Sequence, residues 1–261
     1  MADTDNPLDG VQALAFDVFG TIVNYREGVA LELRRIAPDH ISEEDAYAFA
    51  DEWRQGYYRV VAHIAGGGEG PLVVDVLHRQ LLDEMLASPR WSHLKPLWDE
   101  AALQDLNLIW HRLPGWPDVS EGIRLLNKHF ITAVLSNGNV RLLADMAKNA
   151  DLDWDVIFSG EIFGIYKPHP KTYQGAASYL SLQPHQVAMV AAHIGDLRGA
   201  MRAGLKSIYI PRPTEDKPEV TALVKTKKEG GEVDVMIPSG SLVELAKLVE
   251  QWQGKHWPKG H

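Results

Sequence analysis

Six short apolar runs punctuate the chain, at Val11–Phe16, Ile131–Leu135, Val156–Phe158, Val187–Ala192, Ile208–Ile210 and Val233–Ile237. Turn-forming or polar residues follow each run. Helical spacing of apolar positions then appears over Val140–Ala150, Lys171–Leu180, Leu197–Ala203 and Leu242–Trp252. This alternation of strand, loop and helix predicts an α/β fold: a parallel sheet covered by helices. The first run is separated from the second by more than a hundred residues. Most of that stretch reads as helices, broken at Gly66-Gly67-Gly68-Glu69-Gly70-Pro71. Pro114-Gly115-Trp116-Pro117 cannot continue a helix and marks the return to the sheet. The expected organisation is a sheet core formed by residues 1–24 and 114–261, interrupted after its first strand by a helical insertion over 25–113.

The 261 residues, 45% hydrophobic and 23% charged, have globular composition and suffice for one or two domains. A net charge of -9 offers no basic stripe for phosphate backbones or anionic lipid, so nucleic-acid and membrane partners are not expected. Zero cysteines exclude disulfides, thiol nucleophiles and zinc-thiolate sites. The segment Met1–Gly10 is polar and acidic without a signal-peptide pattern, and no run reaches the roughly 18 apolar residues of a membrane span. A cytoplasmic protein is expected. The segment Pro211–Gly231 reads as a solvated loop with one short helix.

In open parallel sheets, ligands bind beyond the carboxyl ends of the strands. Those positions are polar here: Asp17 and Thr21 after the first run, Ser136 and Asn137 after the second, and His193 and Asp196 after the fourth. Lys167 precedes Pro168 and Pro170, which favour a helix start. Convergence of Asp17, Ser136, Lys167 and Asp196 would make a set suited to covalent catalysis. Alone, each has a plainer reading: Asp17 or Asp196 as a helix cap, Lys167 as a loop lysine, Thr21 and Ser136 as turn caps, His193 as a packing residue. Trp53, Trp91, Trp98, Trp110 and Trp116 read mostly as the core of the insertion, and His63, His78, His93 and His111 have no metal-ligand spacing.

Taken in order, Asp17-Val18-Phe19-Gly20-Thr21, Ser136-Asn137-Gly138, Lys167-Pro168 and Asp196 resemble the four-motif signature of the haloacid dehalogenase (HAD) superfamily, across nearly the whole chain. The resemblance implies a Rossmann-like core and makes the insertion a helical cap domain. Phosphatases of that superfamily usually carry a second Asp two residues after the nucleophile, as a general acid, and use magnesium. Phe19 occupies that position here, which is similar to the 2-haloacid dehalogenase branch (type II, acting on L-2-haloacids). Halide leaves without protonation, so losing the acid costs nothing in that chemistry.

The resemblance implies hydrolytic dehalogenation of a short 2-haloalkanoic acid to the 2-hydroxy acid and halide, through an ester on Asp17, with no cofactor and no metal. Lys167 would keep Asp17 ionised and Asp196 would fix the lysine, while Thr21 and Ser136 donate hydrogen bonds. Phe19 would line the substrate site, and Ser136 and Asn137 would hold the substrate carboxylate. Two departures stand out. Where the branch often has Ser-Ser-Asn, this chain has Ala191-Ala192-His193, which makes His193 a candidate base for ester hydrolysis, with Glu27 or Glu32 considered as its orienting carboxylate. The usual context of the branch's substrate-binding arginine is absent, and Arg26 is the expected substitute. The rival readings are a magnesium-dependent HAD phosphatase using Asp17 and Asp196, opposed by Phe19 and Ala200, and a non-catalytic binding protein, opposed by retention of all four motif residues. Monomer and homodimer are both open.

Overall fold

The structure, a computed structural model, describes residues 6–256, with side chains to residue 252; the outer ends of the expected core, residues 1–5 and 257–261, lie outside the described residues. The six apolar runs form six parallel strands: β1 (Ala13–Phe16), β2 (Ile131–Ser136), β3 (Val156–Ser159), β4 (Val187–Ala191), β5 (Lys206–Tyr209) and β6 (Val235–Met236), in the order β3-β2-β1-β4-β5-β6. β1 sits between β2 and β4, with Ala15 opposite both Ala133 and Met189. It is buried throughout, which explains why its sequence is a continuous apolar run rather than an alternation. Its period-two geometry still sorts the side chains: Leu14 and Phe16 join one core, and Ala13 and Ala15 join another across the sheet.

Five α-helices lie between β1 and β2, and the first four fall in the insertion: α1 (Tyr25–Ile36), α2 (Glu43–Ala65), α3 (Val74–Ala87) and α4 (Glu100–Asn107). Asn24 caps α1 by accepting from Glu27 N at 3.1 Å. Ser42 caps α2, whose first turn holds Glu43, Glu44 and Asp45 where the helix dipole favours anions, and Gly66 closes it. The outgoing and returning segments run side by side. Asn24 N donates to Pro114 O at 2.8 Å and Trp116 N to Ile22 O at 3.0 Å, so the insertion leaves and rejoins the core at one place.

After the insertion come α5 (Val119–Leu126), α6 (Val140–Asn149), α7 (Gly160–Phe163), α8 (Pro170–Tyr179), α9 (Ile194–Arg202), α10 (Pro218–Thr221) and α11 (Leu242–His256). α5, α6 and α11 pack on the Leu14 and Phe16 face, and α8 and α9 on the other, giving a three-layer core.

Two expectations change. α9 begins at Ile194 rather than Leu197, because Asp216 reaches across from another loop to accept Ile194 N at 2.8 Å. The segment Pro211–Gly231 is not simply solvated. Arg212 is buried, donating to Thr21 O at 3.0 Å and to both Asp118 oxygens at 2.7 and 3.0 Å. Among the described residues, no helix is long and apolar enough to cross a membrane.

Candidate active site

Asp17 leaves the end of β1 into a tight turn closed by Gly20 N donating to Val23 O at 3.0 Å. Gly20 has φ +83°, which a side chain would strain. Asp17 is buried and three side chains meet its carboxylate. Lys167 Nζ donates to Oδ1 at 2.9 Å, Thr21 Oγ1 donates to Oδ2 at 2.7 Å, and His193 Nδ1 lies 3.3 Å from Oδ2. Thr21 in turn accepts from Ala192 N at 3.0 Å, tying the β1 turn to the end of β4. Lys167 also donates to Asp196 Oδ2 at 2.6 Å, while Tyr173, from α8, donates its hydroxyl to Asp196 Oδ1 at 2.6 Å.

Electrostatics follow from this geometry. Burial works against charge on Asp17, but the Lys167 ammonium and the His193 imidazole outweigh it and hold the carboxyl well below the usual carboxylate range. Burial likewise opposes the Lys167 charge, and Asp17 and Asp196 more than offset it, raising its pKa. Asp196 moves the other way: burial raises its pKa and Lys167 offsets that only in part. The two carboxylates share one ammonium, and the site favours the ionised form of Asp17 more strongly than that of Asp196.

These residues open onto a cavity of about 380 Å³ whose opposite wall is α2. Arg54, Tyr57, Tyr58, Val61 and Ala62 line it at helical spacing, one stripe of that helix facing the sheet edge. Arg54 is 4% exposed, and its Nε and Nη1 find no hydrogen-bond partner among the described residues. Its guanidinium lies 5.0 Å from the Phe19 ring centroid, 4.4 Å from that of Tyr57 and 4.5 Å from that of Tyr58. Burial opposes its charge, yet the surrounding tyrosines and Glu215 raise its pKa, so it is a fixed cation on the same cavity as Asp17.

The structure brings Asp17, Phe19, Ser136, Asn137, Lys167, His193 and Asp196 to this cavity, with Thr21 behind Asp17. Ser136 Oγ accepts from Gly138 N at 3.2 Å. Asn137 Oδ1 accepts from Lys167 N at 2.7 Å, which places the lysine rather than leaving that oxygen for a ligand. Arg26 requires correction. Its Nε is held by both Asp51 oxygens, at 2.8 and 3.1 Å, and its guanidinium stacks on Tyr47, outside the cavity. Arg54, not Arg26, is the arginine that lines the cavity. Glu27 and Glu32 are also corrected as partners of His193: Glu27 accepts from Tyr47 and Glu32 pairs with Arg35, whereas Glu215 Oε2 lies 2.8 Å from His193 Nε2. Arg54 had a sequence signal, a cation at helical spacing from Tyr57, Tyr58 and Val61. Glu215 had none, since it sits in an irregular loop among other charges.

Residues 11–204 match the model of the haloacid dehalogenase-like hydrolase family. Over 215 residues the chain is 29% identical to (S)-2-haloacid dehalogenase 4A of Burkholderia cepacia, covering 78% of this chain and 85% of that protein. Among solved structures, the defluorinating L-2-haloacid dehalogenase Rha0230 is 37% identical with a TM-score of 0.80, over 92% of this chain and 95% of that one. The L-2-haloacid dehalogenase PA0810 is 32% identical with a TM-score of 0.78, over 92% and 99%. With its motif residues gathered at one sheet edge and the family model spanning most of its length, this chain belongs to the haloacid dehalogenase-like hydrolase family.

Proposed function

We propose that this protein hydrolyses short 2-haloalkanoic acids to 2-hydroxy acids and halide, with the helical insertion over 25–113 acting as a cap above the core formed by 1–24 and 114–261. The observation that carries the reading is the pairing across one cavity of an ionised, lysine-held Asp17 with a buried guanidinium that has two unpartnered nitrogens. A small organic anion with an electrophilic carbon fits between them: Arg54 attracts the carboxylate or the departing halide while Asp17 reaches the carbon. The names of the haloacid dehalogenase relatives agree with this substrate class.

In the proposed reaction, an Asp17 oxygen attacks the halogen-bearing carbon in line. The carbon–halogen bond breaks with its electron pair on the halide, leaving an aspartyl ester of inverted configuration. Phe19 supplies no acid and none is needed. Water then adds to the ester carbonyl carbon of Asp17, with His193 as base, and the alkyl oxygen departs as the product hydroxyl. Lys167 stabilises charge on the carbonyl oxygen, and Asp196 and Tyr173 hold the lysine in place.

The test is halide release from chloroacetate and fluoroacetate with and without a chelator. Release unaffected by chelator supports the reading. Magnesium-dependent release of phosphate from phosphate esters, with no halide, would replace it by the phosphatase reading, and ligand binding without either reaction by a binding protein. Asp17→Asn is expected to abolish turnover. In oxygen-18 water, a single turnover of the native protein should place unlabelled oxygen in the product, because that atom comes from Asp17; immediate full labelling would mean direct attack by water on the substrate.

A further inference from the structure

His193 has a carboxylate at each ring nitrogen. Nδ1 faces Asp17 Oδ2 at 3.3 Å, and Nε2 faces Glu215 Oε2 at 2.8 Å, with the Tyr58 hydroxyl 3.4 Å from Nε2. Glu215 comes from the loop after β5, yet its side chain is 2% exposed. A carboxylate buried to that degree needs a partner, and His193 supplies it.

The surroundings are shaped for this carboxylate. A methyl group on Gly20 would lie 2.2 Å from Glu215 Oε2, so the glycine after Phe19 serves the close approach as well as the turn. The loop is pinned on both sides of Glu215: Arg212 donates to Thr21 O and Asp118, and Asp216 accepts from Ile194 N and the Tyr209 hydroxyl. Glu215 is thereby registered against both the nucleophile turn and the start of α9, the two segments that carry Asp17 and His193.

We infer that Glu215 is a positioning residue for the hydrolytic half-reaction: it accepts the Nε2–H of His193 and so leaves Nδ1, the nitrogen facing Asp17, free to take a proton from the attacking water. The inference rests on the proposed role of His193 as base. Before reaction His193 is an imidazolium. Burial opposes its charge, but Tyr58, Asp17 and Glu215 together raise its pKa well above the ordinary value. An imidazolium cannot accept a proton. Alkylation changes this, because converting Asp17 to a neutral ester removes the anion at Nδ1 while Glu215 keeps the one at Nε2. The proton lost to solvent is the one on Nδ1, and the remaining lone pair points at the ester. Water oxygen then bonds to Cγ of Asp17, and the bond from Cγ to the alkyl oxygen breaks. One water proton ends on the product hydroxyl and the other on His193, restoring the starting pair. The net reaction yields one halide and one proton per substrate.

The experiment compares the native protein with His193→Ala, Glu215→Gln and Glu215→Asp on chloroacetate. It follows the halide burst, the ester on the Asp17 peptide by mass spectrometry, and the pH dependence of ester decay. His193→Ala is expected to release one halide per enzyme and stall as the ester. Glu215→Gln should keep the burst and lose about 10²-fold in ester decay. Because decay rises as His193 deprotonates, and an amide no longer raises that pKa, the midpoint of its pH curve should move to lower pH. Glu215→Asp, which retains the charge, should keep its midpoint nearer that of the native protein. If His193→Ala stalls while ester decay in Glu215→Gln keeps its native rate and midpoint, the role of Glu215 is overturned and the base reading survives. Loss of the halide burst in Glu215→Gln would likewise overturn it, placing Glu215 in substrate binding. If His193→Ala turns over normally, both assignments fall.

Discussion

Arg54 and Arg26 are of one residue type and lie in neighbouring helices of the insertion, but their neighbours give them different chemistry. Arg26 is neutralised by Asp51 at 2.8 Å, while Arg54 is boxed by aromatic rings with no carboxylate hydrogen-bonded to its Nε or Nη1. A guanidinium desolvated in this way interacts strongly with an entering anion, and losing one partner of such a pair costs about 2–5 kcal/mol. Arg54→Lys is therefore expected to lower kcat/KM for chloroacetate by about 10²-fold. Arg26→Ala should stay within about twofold, since it removes only a surface ion pair. Steady-state halide release measures both, and a larger loss in the Arg26 variant would reverse the assignment.

At the scale of elements, the insertion is fastened to the core by a histidine clamp away from the cavity. His111, in the turn after α4, lies 3.0 Å from Asp75 at the start of α3 and 3.0 Å from Asp145 on α6. Asn139 donates to the same Asp75 at 2.9 Å. Burial works against charge on His111, but the two carboxylates outweigh it and raise its pKa. A histidine whose folded pKa is raised contributes stability that is fully present below its unfolded value, near 6.5, and is lost as pH rises through the folded value. His111→Gln is expected to lower stability by about 1–3 kcal/mol at pH 6 and by less at high pH. Urea unfolding across that range measures the difference; a deficit that does not shrink with rising pH would show that packing, not the ion pairs, holds the clamp.

For the whole molecule, the site is also a tie between distant parts of the chain. Lys167 joins Asp17, 150 positions away in sequence, to Asp196, and all three side chains are nearly excluded from solvent. Lys167→Met should lower the rate by several orders of magnitude, because the positive charge beside Asp17, the proposed nucleophile, is lost. It should also destabilise the fold at pH 7 by about 3–5 kcal/mol, since two buried carboxylates lose their cation. Without that cation, burial raises both folded pKa values, so the penalty belongs to the ionised forms and recedes as pH falls toward about 4. Urea midpoints at pH 7 and pH 5 test this, and an equal deficit at both would assign the loss to packing.

The sheet, its covering helices and the position of the insertion were legible in the sequence because each is written locally. A buried central strand needs an unbroken apolar run, a covering helix needs apolar residues at its own period, and Pro114-Gly115 must end a helix wherever it lies. Asp17, Lys167 and Asp196 were legible for a related reason: each lies in a motif that follows a recognisable run. The arginine of the cavity and the partner of His193 were not. Arg26 and Arg54 both sit on helices, and only the packing of α2 across the sheet edge decides which guanidinium faces Asp17. Glu215 lies in a loop whose composition resembles any solvated segment. Its burial arises from Arg212, Asp216 and the missing side chain of Gly20, contacts between residues far apart in the chain that no local period encodes.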